Sequence, residues 1–160
     1  MFVVIDGIDG AGKGTHTERL TCKLNELGTD TCSFSFPGYE ATTFGKLIGK
    51  YLDGKYGDAL REFPELVGTL FSVDRFERKE ELEANIQARD VVLCDRYCSS
   101  NVGYGCANVA KDKKVALAKF LTSVDYDLFG MPIPDLVIYL DIPVKFSVQL
   151  IAKKSLRRFA

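Results

Sequence analysis

The sequence has 160 residues, a formal net charge of −1 and a hydrophobic content of 46 %. This length suits a chain that buries a sizeable core, and we expect residues 1–160 to form a single domain. The balanced charge excludes a protein that holds nucleic acid by a strongly basic field, and no apolar run approaches the roughly 20 residues of a membrane-spanning helix. We therefore expect neither a nucleic-acid partner nor a membrane partner.

Cysteine usage predicts the redox compartment. The number of cysteines is odd. The apolar start of the chain does not have the pattern of a secretory signal peptide, because Asp6 and Asp9 interrupt it. We therefore predict reduced thiols and a cytoplasmic location. No C-x-x-C spacing occurs and the chain has one histidine, so we expect no zinc site. The cysteines are Cys22, Cys32, Cys94, Cys98 and Cys106.

The first predicted element is a buried strand over residues 1–6, followed at once by Gly-Ile-Asp-Gly-Ala-Gly-Lys-Gly-Thr over residues 7–15. The pattern then becomes helical. A strand, a glycine-rich turn and a helix form the context of a phosphate-binding loop, because backbone N–H groups and the helix N-terminus attract an anion there. Lys13 adds a full charge suited to the outer phosphates of a nucleoside triphosphate. The residues predicted to bind ATP phosphates are Gly7, Gly10, Ala11, Gly12, Lys13, Gly14 and Thr15.

The loop departs from the usual G-x-x-x-x-G-K-[ST] pattern at one position. Gly14 stands where serine or threonine should follow Lys13, and Thr15 comes one place later. A glycine turn without chemistry is the alternative interpretation. Four glycines and a lysine at this spacing, between a strand and a helix, favour the phosphate site.

The remaining predicted elements alternate between segments with helical periodicity and short apolar strands. Apolar residues at helical spacing predict helices over 13–28, 43–52, 64–88 and 113–123, and a last one from Pro143. Short apolar runs predict strands over 31–36, 91–95 and 135–141, the last two buried. Strands separated by helices predict an α/β fold, a parallel sheet with helices on both faces. Ligands bind at the carboxyl ends of such strands, where Gly7, Phe36 and Asp95 fall.

Five segments, in order and over nearly the whole chain, resemble the thymidylate kinase family of P-loop nucleoside monophosphate kinases. They are residues 7–15, Phe36-Pro-Gly-Tyr39, Leu70-Phe-Ser-Val-Asp-Arg75, Asp95-Arg-Tyr-Cys-Ser-Ser-Asn101 with Tyr104, and Pro134-Asp-Leu-Val-Ile-Tyr-Leu-Asp141. The loop alone indicates only a P-loop kinase or NTPase; the Asp-Arg-Tyr-x-x-Ser and Phe-x-x-x-Arg segments narrow it to this family. The resemblance implies a three-layer P-loop NTPase fold and transfer of the ATP γ-phosphate to dTMP, giving dTDP and ADP for dTTP synthesis.

The resemblance also implies how dTMP is bound. Phe71 and Arg75 are four residues apart on one helix face, and the family stacks the ring on thymine and hydrogen-bonds the arginine to its O4. Asn101 and Tyr104 match positions that contact the thymine edge and crowd the sugar C2′. On their own chemistry, Phe71 could instead be a core residue and Arg75 a surface charge, which is the weaker alternative, while Asn101 and Tyr104 could equally be turn and packing residues. The implied dTMP-binding residues are Asp9, Phe36, Tyr39, Phe71, Arg75, Arg96, Ser100, Asn101 and Tyr104.

Three residues are the predicted catalytic groups: Lys13, Arg96 and Asp9. Arg96 is expected to neutralise the dTMP phosphate or the transferring phosphoryl group. The resemblance gives Asp9 the deoxyribose 3′-hydroxyl and places Mg²⁺, the expected cofactor, near Asp9, Thr15 and Asp95, partly through water. Asp95 could instead hold Arg96 in a structural salt bridge.

Two departures from the family affect charge at the site. Gly38 stands where a basic residue is often found, and Lys46 from the following helix is a candidate replacement. Ala11 stands where some relatives have an arginine, which shifts charge neutralisation to a lid. The basic residues at the expected start of that lid are Lys153, Lys154, Arg157 and Arg158, which could also be a plain solvated helix end.

The chain stops where the family's lid should begin, so we expect it to be truncated, incomplete or naturally short. The alternatives to a thymidylate kinase are another P-loop kinase acting on dUMP, dCMP, AMP or a deoxynucleoside, and a nucleotide-binding remnant without turnover. The family is usually dimeric through helices, which makes the helix over 64–88 a candidate homodimer face.

Overall fold

The computed structural model describes residues 1–57 and 59–158, and the side chains among them as far as residue 152. The strands are β1 (Phe2–Gly7), β2 (Thr31–Ser35), β3 (Val91–Asp95) and β4 (Leu136–Leu140). The helices are α1 (Lys13–Glu26), α2 (Thr43–Leu52), α3 (Pro64–Glu77), α4 (Lys79–Ala88), α5 (Cys98–Ala107), α6 (Lys114–Ser123) and α7 (Val144–Arg158). Short 3₁₀ turns cover Ala59–Glu62 and Lys111–Lys113, and a π-helical turn covers Val124–Leu128.

The sheet is parallel throughout, with the strand order β2-β3-β1-β4. Side chains alternate across it, and each face has its own core. Val3 and Leu93 pack with Leu20 and Leu24 of α1 on one face. On the other, the cluster Phe2, Val4, Phe34, Phe36, Leu82, Val92, Cys94, Tyr97, Cys98 and Met131 packs against α4, α5 and the turn after α6. The predicted parallel α/β fold with helices on both faces is confirmed.

The predicted helix over 64–88 is wrong as a single element, because it divides into α3 and α4 at Arg78. Arg78 has φ −111° and ψ 13°, outside the helical region, and its guanidinium lies 4.6 Å from the Phe34 ring centre. After the bend α4 buries Leu82 completely in the sheet core. The α3 helix packs instead against α2, α5 and α6. One straight helix cannot make both sets of contacts.

The last strand forms as predicted, but it is not buried. In β4, Leu136, Val137, Ile138 and Tyr139 are all between 36 % and 60 % exposed. Among the described strands, β4 pairs only with β1 and lies at the edge of the sheet. Apolar composition predicts a strand but does not reveal its position in the sheet. Among the described residues, no helix combines the length and the apolar character needed to cross a lipid bilayer.

Candidate active site

The loop over 7–15 begins where the buried strand β1 ends, and neighbouring backbone shapes it. A Cβ on Gly7 would lie 2.7 Å from the carbonyl oxygen of Leu140, and one on Gly10 would lie 2.8 Å from that of Ser147. Both glycines also have positive φ, 147° and 77°. The Ser147 hydroxyl donates to the Asp9 carbonyl oxygen. The start of α7 and the end of β4 therefore fix the loop in a conformation that only glycine allows at these two positions.

Lys13 is buried at the start of α1 and its side chain folds back over the loop. Its Nζ donates to the carbonyl oxygens of Gly7, at 3.0 Å, and Ile8, at 2.9 Å. Burial lowers the pKa of this ammonium, and the nearby Arg96 charge acts in the same direction. Backbone carbonyls are weaker partners for an ammonium than charged phosphate oxygens, so Lys13 is placed to exchange them for a bound anion.

Arg96 has an unusual backbone at the end of β3. Its φ is +65°, which is uncommon for a residue with a Cβ and costs on the order of 1–3 kcal/mol. The conformation is held by the Arg96 N–H, which donates to the Ile5 carbonyl oxygen at 3.1 Å, and by the Cys94 thiol, which donates to the Arg96 carbonyl oxygen at 3.0 Å. The turn directs the guanidinium away from the sheet, toward the phosphate-binding loop.

The Arg96 guanidinium meets Asp9 and Tyr104. It donates to Oδ1 of Asp9 and, at 3.3 Å, to the Tyr104 hydroxyl, and it lies 5.3 Å from the Tyr104 ring centre. Burial raises the pKa of Asp9, but the hydrogen bond and charge of Arg96 outweigh it, so the net pKa is lowered. The carboxylate partner of Arg96 is therefore Asp9. Asp95, the residue before Arg96 in the sequence, lies instead near the phosphate-binding loop. Its Oδ2 would lie 3.1 Å from a Cβ on Gly14.

A cavity of about 670 Å³ opens between α2, α3, α5 and the phosphate-binding loop. This volume is within the roughly 300–1,000 Å³ of small-molecule sites. All nine residues predicted to bind dTMP line it, namely Asp9, Phe36, Tyr39, Phe71, Arg75, Arg96, Ser100, Asn101 and Tyr104. Four segments of the sequence therefore meet at one cavity. Their individual roles stay predictions.

Arg75 lies deep in the cavity wall, 3 % exposed, and pairs with Asp125, which is fully buried. Its Nη2 donates to both carboxylate oxygens at 2.8 Å and to the Ser72 hydroxyl at 3.1 Å, and its Nε donates to Asp125 at 3.3 Å. The alternative that Arg75 is a surface charge is wrong. Asp125 was missed because it lies in a turn 50 residues away and belongs to none of the motifs.

Asn101 and Ser100 are held by other parts of the protein. The Asn101 side-chain amide donates to the carbonyl oxygen of Gly68 at 3.0 Å and to the Ser72 hydroxyl at 3.3 Å. The Ser100 hydroxyl donates to Oδ1 of Asp6 at 2.6 Å, the oxygen that also accepts from the Gly7 N–H at 2.8 Å. The Ser99 hydroxyl donates to the other Asp6 oxygen at 2.5 Å. Asp6 therefore ties the start of α5 to the phosphate-binding loop.

The cavity wall contains a basic residue that the motifs did not reveal. Lys46, the candidate replacement for the missing basic residue at Gly38, is exposed on α2 and is not among the residues that line the cavity. Arg61, in the turn before α3, does line it. Tyr39 also lines the cavity, and burial raises the pKa of its hydroxyl, which keeps it protonated and able to donate.

The acidic groups around the loop fit a magnesium ion that arrives with nucleotide. Asp9 and Asp95 are both close enough to Lys13 to oppose the lowering of its pKa. Mg²⁺ in nucleotide sites takes one or two carboxylates and completes its shell with phosphate oxygens and water. No group of three or more histidine, cysteine or acidic side chains that could hold a metal occurs among the described residues. The side chains of Lys153, Lys154, Arg157 and Arg158 lie outside the described part of the chain.

Comparison with known proteins decides the family. The thymidylate kinase family model matches residues 5–159. The chain belongs to the thymidylate kinase family. A probable thymidylate kinase from Thermococcus onnurineus is 35 % identical over 162 residues, covering 98 % of this chain and 74 % of the relative. The thymidylate kinase of Mycobacterium tuberculosis strain H37Rv is 28 % identical over 147 residues, covering 92 % and 68 %.

A solved structure agrees with this assignment. The thymidylate kinase from Candida albicans, described as having broad substrate specificity, superposes with a TM-score of 0.68 at 25 % identity. The match covers 92 % of this chain and 65 % of that protein. The chain therefore spans about two thirds to three quarters of the length of these thymidylate kinases. The family implies an ATP-dependent phosphotransferase that acts on nucleoside monophosphates.

Proposed function

We propose that this thymidylate kinase family member transfers the γ-phosphate of ATP to dTMP, giving dTDP and ADP. One observation carries the proposal. The cavity that gathers all nine predicted dTMP-binding residues opens beside the phosphate-binding loop, and the Arg96–Asp9 pair stands between the two. Two nucleotides bound on either side of this pair would bring their phosphates together. Phosphoryl transfer depends on such alignment and on charge neutralisation.

On the donor side, Lys13 exchanges its loop carbonyls for the outer phosphates of ATP, and the loop N–H groups bind the same anion. Asp9, Thr15 and Asp95 would hold Mg²⁺ that arrives with ATP, partly through water, and the ion would add to the neutralisation of phosphate charge. On the acceptor side, Arg96 exchanges Asp9 for the dTMP phosphate. The acceptor oxygen is already ionised, so no strong general base is needed. Tyr39 donates its hydroxyl to the same phosphate.

Base recognition rests on Phe71, Arg75 and Asn101. Asp125 and Ser72 occupy Nε and Nη2 of Arg75, so Nη1 is the part of the guanidinium that can donate to thymine O4. Phe71, one turn earlier on α3, offers its ring for stacking, which is worth roughly 1–3 kcal/mol where it has been measured in single strands. The pinned guanidinium favours a base with an acceptor at this position.

The experiment is turnover of dTMP with ATP and Mg²⁺, measured by coupled ADP release beside dUMP, dCMP, AMP and deoxycytidine. We expect dTMP to give the highest kcat/KM. If AMP or deoxycytidine were preferred, the roles of Phe71, Arg75 and Asn101 would be wrong. The Lys13→Ala variant should lose at least about 100-fold in kcat while dTMP binding is mostly retained, because the ammonium charge that neutralises the ATP phosphates is removed. Full activity in this variant contradicts the phosphate-site assignment.

The alternative function is that of a nucleotide-binding protein without turnover. Calorimetric binding of dTMP without ADP release would support it.

The five cysteines are all free, which supports a reducing, cytoplasmic location. Dimerisation through the region of α3 and α4 stays a prediction, which sedimentation equilibrium tests.

A further inference from the structure

Asp74 is a fully buried acid next to the cavity that has no part in the mechanism above. It lies on α3 and accepts hydrogen bonds from the loop between β2 and α2. The Gly38 N–H lies 3.1 Å from both carboxylate oxygens, and the Thr42 hydroxyl donates to Oδ1. Burial raises the pKa of Asp74, while the hydrogen bonds from Thr42 and Gly38 act against this increase. Such a buried carboxylate is retained only where its partners satisfy it.

The peptide groups of Gly38 are held on both sides. Its carbonyl oxygen accepts from the N–H groups of Ala41, at 2.9 Å, and Thr42, at 3.0 Å. The Thr42 hydroxyl caps α2 by accepting from the Gly45 N–H at 2.8 Å. A Cβ on Gly45 would lie only 2.1 Å from the Gly38 carbonyl oxygen. Asp74, Thr42 and Gly45 therefore fix the position of Gly38 between α2 and α3.

Gly38 packs closely against the two side chains that hold it. A Cβ at Gly38 would lie 3.2 Å from Cγ2 of Thr42 and 3.4 Å from Oδ1 of Asp74. The first of these contacts is tight and the second is an ordinary van der Waals contact. The residues on either side of the Pro37–Gly38 pair, Phe36 and Tyr39, both line the cavity.

Asp74 also connects this loop to the base-binding helix. Phe71, Asp74 and Arg75 lie at positions i, i+3 and i+4 of α3, which places them close together on the helix. Phe71 and Arg75 line the cavity, while Asp74 reaches the Gly38 loop. The same helical turn therefore sets the position of the base contacts and of the loop that carries Tyr39.

We propose that Asp74 is a positioning residue for the acceptor phosphate: by holding the Gly38 N–H and the Thr42 hydroxyl, it places Tyr39 to receive the 5′-phosphate of a nucleoside monophosphate. The inference rests on the proposed function. A positioning role of Asp74 differs from a purely structural role because its effect depends on which ligand is bound. A structural acid affects stability and all ligands alike, whereas a positioning residue affects ligands that carry the 5′-phosphate.

The test compares dTMP with thymidine, which lacks the phosphate, by calorimetry on the wild type and on Asp74→Asn. In Asp74→Asn one of the two carboxylate oxygens is replaced by an NH₂ group, which donates hydrogen bonds. This group cannot accept from the Gly38 N–H. We expect dTMP affinity to fall about ten- to hundredfold, as for loss of one hydrogen bond to a charged phosphate, while thymidine affinity changes less than about threefold. KM for dTMP should rise with KM for ATP unchanged.

Asp135→Asn is the matched control, because the Asp135 carboxylate also accepts a backbone N–H, that of Phe2 at 2.7 Å, but outside the cavity. It should leave the ratio of dTMP to thymidine affinity unchanged. Should Asp74→Asn fail to fold, Thr42→Val removes the hydroxyl contact, and Thr42→Ser should restore most of the dTMP affinity.

The outcomes separate the two proposals. If the wild type binds dTMP but the Asp74 and Thr42 variants keep its affinity, or lose thymidine affinity equally, the positioning role is overturned and the proposed function stands. If the wild type binds neither dTMP nor thymidine, the proposed function is overturned, and the positioning role with it.

Discussion

Replacing Asp125 with alanine tests the buried ion pair that fixes Arg75. Both side chains are buried, Arg75 at 3 % exposure and Asp125 at 0 %, and Nη2 of Arg75 lies 2.8 Å from both carboxylate oxygens. In Asp125→Ala the guanidinium keeps its charge but loses these partners. Removing one member of a buried pair leaves the other charge uncompensated in a medium that solvates it poorly.

The expected loss is about 3–5 kcal/mol in the free energy of unfolding. For a chain of this size, 1 kcal/mol corresponds to roughly 2–4 °C in the melting temperature, so Tm should fall by roughly 6–20 °C. Affinity for dTMP should fall as well, because the Arg75 guanidinium is no longer held in one orientation. Urea unfolding and thermal melts measure the first effect, and calorimetry measures the second.

Two comparisons identify the cause of the loss. Glu26→Ala breaks an exposed pair with Lys23, whose side chains are 64 % and 65 % accessible, and should change stability by no more than about 1 kcal/mol. The double variant Arg75→Met with Asp125→Leu removes both charges, and should recover most of the stability while discrimination for thymine is lost. The reasoning is refuted if Asp125→Ala remains within about 0.5 kcal/mol of the wild type, the range of an ordinary surface substitution.

The remaining predictions concern the loops around the site. Gly45→Ala should destabilise the protein by about 1–3 kcal/mol and weaken dTMP binding, because its Cβ would overlap backbone. Gly49→Ala on the same helix meets only Tyr39 Cδ1, at 3.6 Å, and should stabilise by roughly 0.5–1 kcal/mol in a urea titration. The pKa of Asp9 is lowered in the folded protein. The Asp9–Arg96 contact should therefore stabilise the protein fully at pH values above the ordinary aspartate pKa, and this stabilisation should be lost as the pH falls through the lowered pKa. In an NMR titration Arg96→Gln should raise the Asp9 pKa; an unchanged value contradicts the pairing.

The sequence predicts those parts of the site whose signal is local. The phosphate-binding loop is a contiguous run of glycines and a lysine between a strand and a helix, so its spacing alone indicates its chemistry. Phe71 and Arg75 follow from helical periodicity and the family resemblance. The parallel sheet follows from alternating strands and helices, because short crossovers of this kind leave few other topologies.

The residues that support these groups were not predictable in the same way. Asp6, Asp74 and Asp125 each act through a partner that is more than 30 residues away, and none belongs to a repeated spacing. The positive φ of Arg96 depends on a hydrogen bond that its N–H donates to Ile5 of the neighbouring strand and on one that it accepts from the Cys94 thiol, and no glycine or asparagine marks it. Tertiary contacts decide these features, so a one-dimensional pattern does not contain them.

The two sides of the site differ in how they are prepared for substrate. On the acceptor side, consecutive buried charges of α3 are satisfied by protein groups that the substrate does not replace: Asp74 by Gly38 and Thr42, and Arg75 by Asp125. The base-binding part of this side is therefore preorganised, whereas the acceptor phosphate must displace Asp9 from Arg96. Toward the donor, Lys13 is held by loop carbonyls that a phosphate must displace. Binding of the base should accordingly order the protein less than binding of the phosphates, since only the base contacts are already in place.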